Sequence, residues 1–364
     1  MIRLAVVAPH FPEYSLRYAA AMAKYCEVLA CIDKAQLATE YDGRKVDFGR
    51  TRLEPVNFKT PNDLIKMCAA IKKFRPDVVH IQEAVGPRRA FFTVAIARLM
   101  KSNAAIVLSI HDPLPHEGSD EAAARRTAWI GSHVRRAADL VVVHGAYCAG
   151  LIESSLEPDQ QLAISEHGVI LVPPDRQPPP DAPLKLYAFG RMEKYKGVEV
   201  LLRTAEILHA EAFPFQLKVA GRGPELDRLQ RRFAALPEVE VQNAFIAPNE
   251  IMASIQAAEC IVLPYLSATQ SGVLAAAYAG HRYVIASNTG GLHDVVKDGI
   301  NGVLVPPGDA AALAGAVRSI AMDAGLRKRL QAGAVETASS QLDWDRIARD
   351  LMVRFEAVVA IRSR

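Results

Sequence analysis

Val172-Pro-Pro-Asp-Arg-Gln-Pro-Pro-Pro-Asp-Ala-Pro183 holds six prolines in twelve residues. Proline lacks a backbone N–H and fixes φ, so a run this dense joins neither a helix interior nor a central strand; it reads as a stiff linker. On both sides of it, short apolar runs alternate with amphipathic stretches. Upstream, strands are expected at 2–8, 27–32, 77–81, 105–110, 140–143 and 162–165, with helices over 16–25, 62–74, 88–101 and 121–138. Downstream, strands are expected at 185–189, 216–219, 239–242, 260–263 and 283–286, with an edge segment at 302–305. The helices between and after them fall at 198–209, 226–234, 249–257, 272–279, 310–322 and 325–339. Fully apolar strands separated by helices imply a parallel sheet covered on both faces, so the expectation is α/β, with two Rossmann-like domains facing each other across a cleft. The boundaries read as 1–170, a linker at 171–183, a second domain at 184–342, and a last segment at 343–364. In that segment Trp344, Ile347, Leu351, Phe355, Val358 and Val359 form one helical stripe.

Composition narrows the function. The 364 residues are 50% hydrophobic and 23% charged, which allows large cores and excludes wholesale disorder. Formal charge is +3, from 43 Lys+Arg against 40 Asp+Glu, and neither half reads as a nucleic-acid module. Cys26, Cys31, Cys68, Cys148 and Cys260 form no C-x-x-C pair, so reduced thiols in a cytosolic protein are expected. The longest charge-free run, 260–280, contains Pro264, Ser267, Thr269, Gln270 and Ser271 and is too polar for a membrane span. The apolar start of the chain is too short for a secretory signal and reads as a first strand.

Three turns carry chemistry. In Phe189-Gly-Arg-Met-Glu-Lys-Tyr-Lys-Gly197, Gly190 ends a strand, and Arg191 and Lys196 flank a tight turn before a helix. A cation pair at a strand's carboxyl end, beside a helix N-terminus, suits a diphosphate; the plain alternative is a solvated loop with ordinary surface cations. In Thr269-Gln-Ser-Gly272, the backbone N–H groups opening an Ala-rich helix would face an anion, and the alternative is a helix cap with no ligand. Ala220-Gly-Arg-Gly-Pro-Glu225 is another strand-to-helix turn but not G-x-G-x-x-G, which argues against an NAD dehydrogenase. In the first half, Ser109-Ile-His-Asp-Pro-Leu-Pro-His-Glu117 follows a buried strand. His111 is expected at its carboxyl end, facing the cleft and hydrogen-bonding a substrate. A metal site using His116 and Glu117 is disfavoured by Pro113 and Pro115, which turn neighbouring side chains apart, so no metal is assigned. His80, His133 and His144 read as core or surface residues.

Taken in order, these segments resemble the retaining glycosyltransferases of family 4, which have the GT-B fold. Gly190-Arg191 with Lys196-Gly197 is similar to that family's G-R-x(4)-K-G, and Val219-Ala-Gly-Arg-Gly-Pro-Glu225 to its v-G-x-G-P-E turn. Ile285-Ala-Ser-Asn-Thr-Gly-Gly291, Val296-Lys-Asp-Gly-Ile-Asn-Gly302 and Val305-Pro-Pro-Gly-Asp309 are similar to its A-T/S-x-x-G-G, D-G-x-N-G and P-x-G-D landmarks. Glu166-His-Gly-Val169 resembles its N/H-G-V segment, and the helix around Trp344 its returning helix, which would cross back onto the first domain.

The resemblance implies a nucleotide-sugar donor, such as a UDP- or GDP-sugar, held by the second domain, and a glycan or lipid-linked acceptor held by the first. It implies catalytic roles for His111, Arg191 and Lys196, and donor contacts from Gly190, Gly221, Phe245, Ile246, Gln270, Ser271, Gly272 and Val273. It implies retention of configuration, no cofactor, and a cytoplasmic enzyme of bacterial surface polysaccharide synthesis. Peripheral contact with the inner membrane face is read from Lys72-Lys73, Arg88-Arg89 and Arg125-Arg126, whose alternative is a solvated face. Two departures stand out. Ala268 and Ala276 occupy the positions of the family's paired glutamates, and Ala8-Pro-His-Phe-Pro-Glu13 stands where its glycine pair would follow the first strand. With the ribose glutamate absent, Ala276→Glu is expected to raise nucleotide affinity. The competing readings are a glycosyltransferase-fold scaffold without turnover and a nucleotide-sugar epimerase, which the missing carboxylates disfavour.

Overall fold

The computed structural model describes residues 1–40, 49–113, 121–171 and 184–362. The proline segment 172–183, His116 and Glu117 lie outside the described residues. Two compact units result, the first including residues up to 168 and from 343 onward, the second 169–342.

The first unit runs β1 (Arg3–Ala8), α1 (Pro12–Met22), β2 (Glu27–Asp33), α2 (Lys34–Glu40), β3 (Thr51–Val56), α3 (Pro61–Phe74), β4 (Val78–Gln82), α4 (Pro87–Met100), β5 (Ala105–Ile110), α5 (Glu121–Ala137), β6 (Leu140–Val143), α6 (Ala146–Ile152) and β7 (Gln161–Ile164). All strands are parallel, in the order β3-β2-β1-β4-β5-β6-β7. The order reverses between β1 and β4, and such sheets bind ligands outside the carboxyl ends at that point. Helices α3, α4, α5 and α6 send Met67, Ile71, Ile96, Met100, Val134 and Ile152 onto one sheet face. Each fully buried Val, Leu or Ile contributes about 1.5–3 kcal/mol. The other face receives α1 and the last helix, α14 (Trp344–Arg362), which pack together. A Cβ at Gly168 would lie 2.4 Å from the Trp344 ring, and only glycine leaves that ring its seat. Lys24 Nζ pairs with Asp345 at 2.9 Å, and Arg362 with Asp139 at 3.0 Å, so α14 is fastened near both ends.

The second unit runs β8 (Leu184–Arg191), α7 (Val198–Ala210), β9 (Phe215–Arg222), α8 (Pro224–Phe233), β10 (Val239–Asn243), α9 (Pro248–Ala257), β11 (Cys260–Leu263), α10 (Gly272–Ala279), β12 (Tyr283–Ser287), α11 (Leu292–Val295), β13 (Gly302–Val305), α12 (Ala310–Met322) and α13 (Ala324–Ser339). Its six parallel strands lie in the order β10-β9-β8-β11-β12-β13, reversing between β8 and β11. Two buried polar residues tie this unit. Arg282 is fully buried and donates to the carbonyls of Gln256, Ala258, Gly280 and His281, closing the C-terminal ends of α9 and α10. Asn301 accepts from the Lys297 N–H and donates to Val295 O and Thr337 Oγ1. The D-G-x-N-G landmark is therefore a structural clasp onto α13. All five cysteines are free and buried.

Candidate functional site

In the second unit the residues read as a diphosphate site gather at the switch point. Gly190 and Arg191 end β8, and α10 follows its neighbour β11. Close backbone approach makes this possible. At Gly197 (φ 66°) a Cβ would sit 1.8 Å from Pro264 O, and at Gly290 (φ 50°) 1.7 Å from Ala268 O, so both positions exclude any side chain. The loops after β8, β11 and β12 are thereby pressed together.

Lys196 Nζ lies 3.8 Å from the Tyr265 ring centroid and 5.1 Å from that of Tyr195. Arg191 is exposed, with Nη2 3.4 Å from Tyr195 Oη, folded back over the turn that holds Lys196. The Tyr265 hydroxyl is 3.4 Å from Ser271 Oγ, and Ser271 caps α10 by accepting the Leu274 N–H. Burial raises the Tyr265 pKa well above the ordinary phenol value, so this hydroxyl keeps its proton. Val273, in the first turn of α10, packs against Gly190. The N–H groups of Gly272 and Val273 open the helix on this side, and the α10 dipole adds partial positive charge. Gln270 Oε1 is buried with no hydrogen-bond partner among the described residues, an acceptor that a ligand hydroxyl would satisfy.

Other expected donor contacts sort differently. Phe245, just beyond β10, is 69% exposed, with the Arg222 guanidinium 5.8 Å from its ring centroid. Sequence alone assigns no role to Arg222, which stands in the G-R-G-P-E turn. Ile246 is a core side chain, so only its backbone can face a ligand. Gly221 (φ 144°) serves packing, since a Cβ there would lie 1.9 Å from Gly190 O. Ala276 is also corrected. It is 2% exposed within the core, so a glutamate there would bury a carboxylate among apolar side chains.

In the first unit His111 does stand at the carboxyl end of β5, but it is 2% exposed and both ring nitrogens are engaged. It is not the open cleft histidine expected from sequence. His144 Nδ1 donates to Ser165 O, which fixes His144 Nε2 as the acceptor of the His111 Nδ1–H. His111 Nε2 is then a lone pair 2.9 Å from the Gln82 side-chain amide, which must turn its N–H₂ toward it. Phe11 covers this row, its ring 4.4 Å from that of His111. Phe11 is held at φ 56°, where the family's glycine pair would stand, and a bulky residue there is strained. Burial holds His80 and His167 at about 3 and His144 at about 4; His111 falls well below the usual histidine value, with neighbouring imidazoles adding to burial. The cluster is neutral. Glu83, to which the sequence alone assigns no role, follows β4 directly; burial and then the Asp112 carboxylate raise it to about 7. No group of three metal-ligating side chains occurs among the described residues.

Two Rossmann-like units whose second member carries paired cations at its switch point define the GT-B class. The comparisons agree. Residues 12–165 match the family model of a glycosyl transferase 4-like domain, and residues 183–323 that of glycosyl transferases group 1. The chain belongs to this glycosyl transferase group 1 and 4-like family. It is 33% identical over 178 residues to a D-inositol 3-phosphate glycosyltransferase of Xylanimonas cellulosilytica, covering 48% of this chain and 42% of that protein. The match thus spans less than half of that relative's length. Among solved structures, sucrose-phosphate synthase from Thermosynechococcus elongatus superposes with a TM-score of 0.75 at 18% identity, over 99% of this chain and 100% of that one. Anabaena HepE in complex with UDP gives 0.70 at 15% identity, over 98% and 100%. Both show the fold.

Proposed function

We propose that this chain transfers a sugar from a nucleotide-sugar donor, UDP- or GDP-linked, to a glycan or lipid-linked acceptor. The carrying observation is the convergence of Lys196, Tyr265 and Ser271 beside the α10 N-terminus. Negative charge grows on the diphosphate as the glycosidic bond breaks. Fixed donors and cations aimed there act on the transition state more than on the ground state, and each is worth on the order of 3–4 kcal/mol. In this reading Arg191 and Lys196 carry that charge without a metal ion, the Gly272 and Val273 N–H groups add to it, and Gln270 takes a hydroxyl of the donor. Phe245 and Arg222 frame the base. His111, enclosed by Phe11 and His144, positions rather than touches substrate. The UDP held by the HepE structure supports a nucleotide donor. Retention and a role in bacterial surface polysaccharide are inferred from the resemblance.

A scaffold without turnover is the second reading, favoured by the absence of the family's paired glutamates, whose aligned places Ala268 and Ala276 take. Calorimetry with UDP and GDP followed by a donor-hydrolysis assay separates the two. Binding with hydrolysis supports the enzyme; no binding at about millimolar nucleotide, near 4 kcal/mol of affinity, supports the scaffold.

A further inference from the structure

We infer that the layer formed by α3, α4 and α5 docks onto an anionic membrane surface. The three helices lie side by side on one sheet face. Their 45 residues carry ten Lys and Arg against two acids, whereas the whole chain carries 43 against 40. The excess is thus concentrated here, and the rest of the chain is net acidic.

Arg89 pairs with Asp33 and Arg136 with Glu157, but five of the ten cations stand apart from any acid among the described residues. Lys66, Lys72, Lys73, Arg88 and Arg98 are exposed and form no ion pair among the described residues. The arginine-rich α8 is different, with Arg228 and Arg232 bound to Glu225, Glu199 and Glu206. Among the cations of the layer stand large apolar side chains facing solvent: Ile65 at 66% exposure, Phe91 at 60%, Leu99 at 49% and Trp129 at 69%. Each helix presents them in register with its charges. Arg88, Phe91, Arg98 and Leu99 follow helical spacing on α4; Trp129, His133 and Arg136 do so on α5.

Exposed Trp, Phe, Leu and Ile interleaved with Lys and Arg match a headgroup region, where the aromatic ring sits at the interface and the cations meet lipid phosphates. Nucleic acid supplies the charge but no place for these apolar side chains, and an acidic protein would need a complementary apolar face; both are outcomes of the test. Docking would present the acceptor-type domain to a lipid-linked acceptor, a consequence that rests on the proposed function. The surface itself does not.

The test is sedimentation of the full chain with vesicles of pure phosphatidylcholine and of phosphatidylcholine with phosphatidylglycerol. Binding is expected only to the anionic vesicles, with release on raising salt from about 0.05 to 0.5 M as the screening length falls. Trp129 emission should shift to the blue on binding, and W129F should abolish that shift, since the half-buried Trp344 lies on α14 and not on this layer. K72E/K73E and R88E/R98E, checked for unchanged melting, should each weaken partitioning by at least about tenfold. The inference is overturned by absent binding at low salt, by equal binding to neutral vesicles, by charge-reversed variants that bind like the parent, or by preference for DNA or an acidic protein over anionic vesicles. Nucleotide calorimetry on the same variants reads the donor site separately, so the two proposals fail independently.

Discussion

Lys196 Nζ lies 3.8 Å above the Tyr265 ring, and the Tyr265 hydroxyl reaches to 3.4 Å from Ser271 Oγ. Two loops 75 residues apart in sequence, one bearing a cation and the other a helix N-terminus, are joined through a single buried phenol. Aromatic support holds an ammonium by its charge, which suits the diphosphate contact proposed for Lys196.

Arg191→Ala and Lys196→Ala should each lower turnover about a hundredfold, the cost of removing one transition-state charge contact. Tyr265→Phe keeps the ring under Lys196 and should act mildly, whereas Tyr265→Leu should approach the Lys196→Ala defect. Steady-state kinetics on an identified donor checks the series, and turnover unaffected by Lys196→Ala would count against the diphosphate assignment.

Ala276→Glu now carries the opposite expectation from the sequence-based one. The site is 2% exposed, and an unpaired carboxylate there costs several kcal/mol or takes up a proton. Melting should fall by about 10 °C, at 2–4 °C per kcal/mol for a unit of this size, with no gain in nucleotide affinity. A thermal melt with and without UDP reports both.

Acid should destabilise the first unit early. His80, His111, His144 and His167 have folded pKa values below the unfolded value of about 6.5, so the unfolded chain binds more protons as pH falls below that point. Stability is full above about pH 6.5 and declines toward pH 4, by at most about 1.4 kcal/mol per pH unit for each histidine. Glu83 acts the other way. Its raised pKa of about 7 gives stability below the unfolded carboxyl value that is lost as pH rises through 7, offsetting about one histidine. Urea melts at pH 7, 6 and 5 should show midpoints dropping in that order, and flat midpoints would mean that the imidazoles are solvated.

Asn301→Ala removes three hydrogen bonds from a residue that is 2% exposed and leaves the Lys297 N–H and Thr337 hydroxyl to find new partners. A loss of about 2–4 kcal/mol is expected, with nucleotide affinity unchanged because the clasp faces α13 and not the switch point. Denaturant melts and calorimetry together test the separation.

Most of the architecture was legible because apolar runs and helical stripes are local. The strands from β4 to β7 and from β8 to β13 fall within a residue or two of expectation, except that β9 runs three residues further, to Arg222. The misses have reasons. β3 is an edge strand, half-buried, with Arg52, Glu54 and Pro55 breaking its apolar pattern, and the seven-residue α2 and α6 are too short to show a periodicity. The chemistry-bearing turns were legible too, since glycines beside cations at strand ends are a local signal. What sequence could not decide was which turns meet and which residues stay open. Parallel pairing of β8 with β11 brings Lys196 to Ser271. The neighbours of β5 close around His111, with Gln82 ending β4 and His144 following β6. Local propensity follows from the order of side chains along the chain, whereas burial and partnership follow from strand order, and strand order is set by long-range pairing that no short stretch encodes.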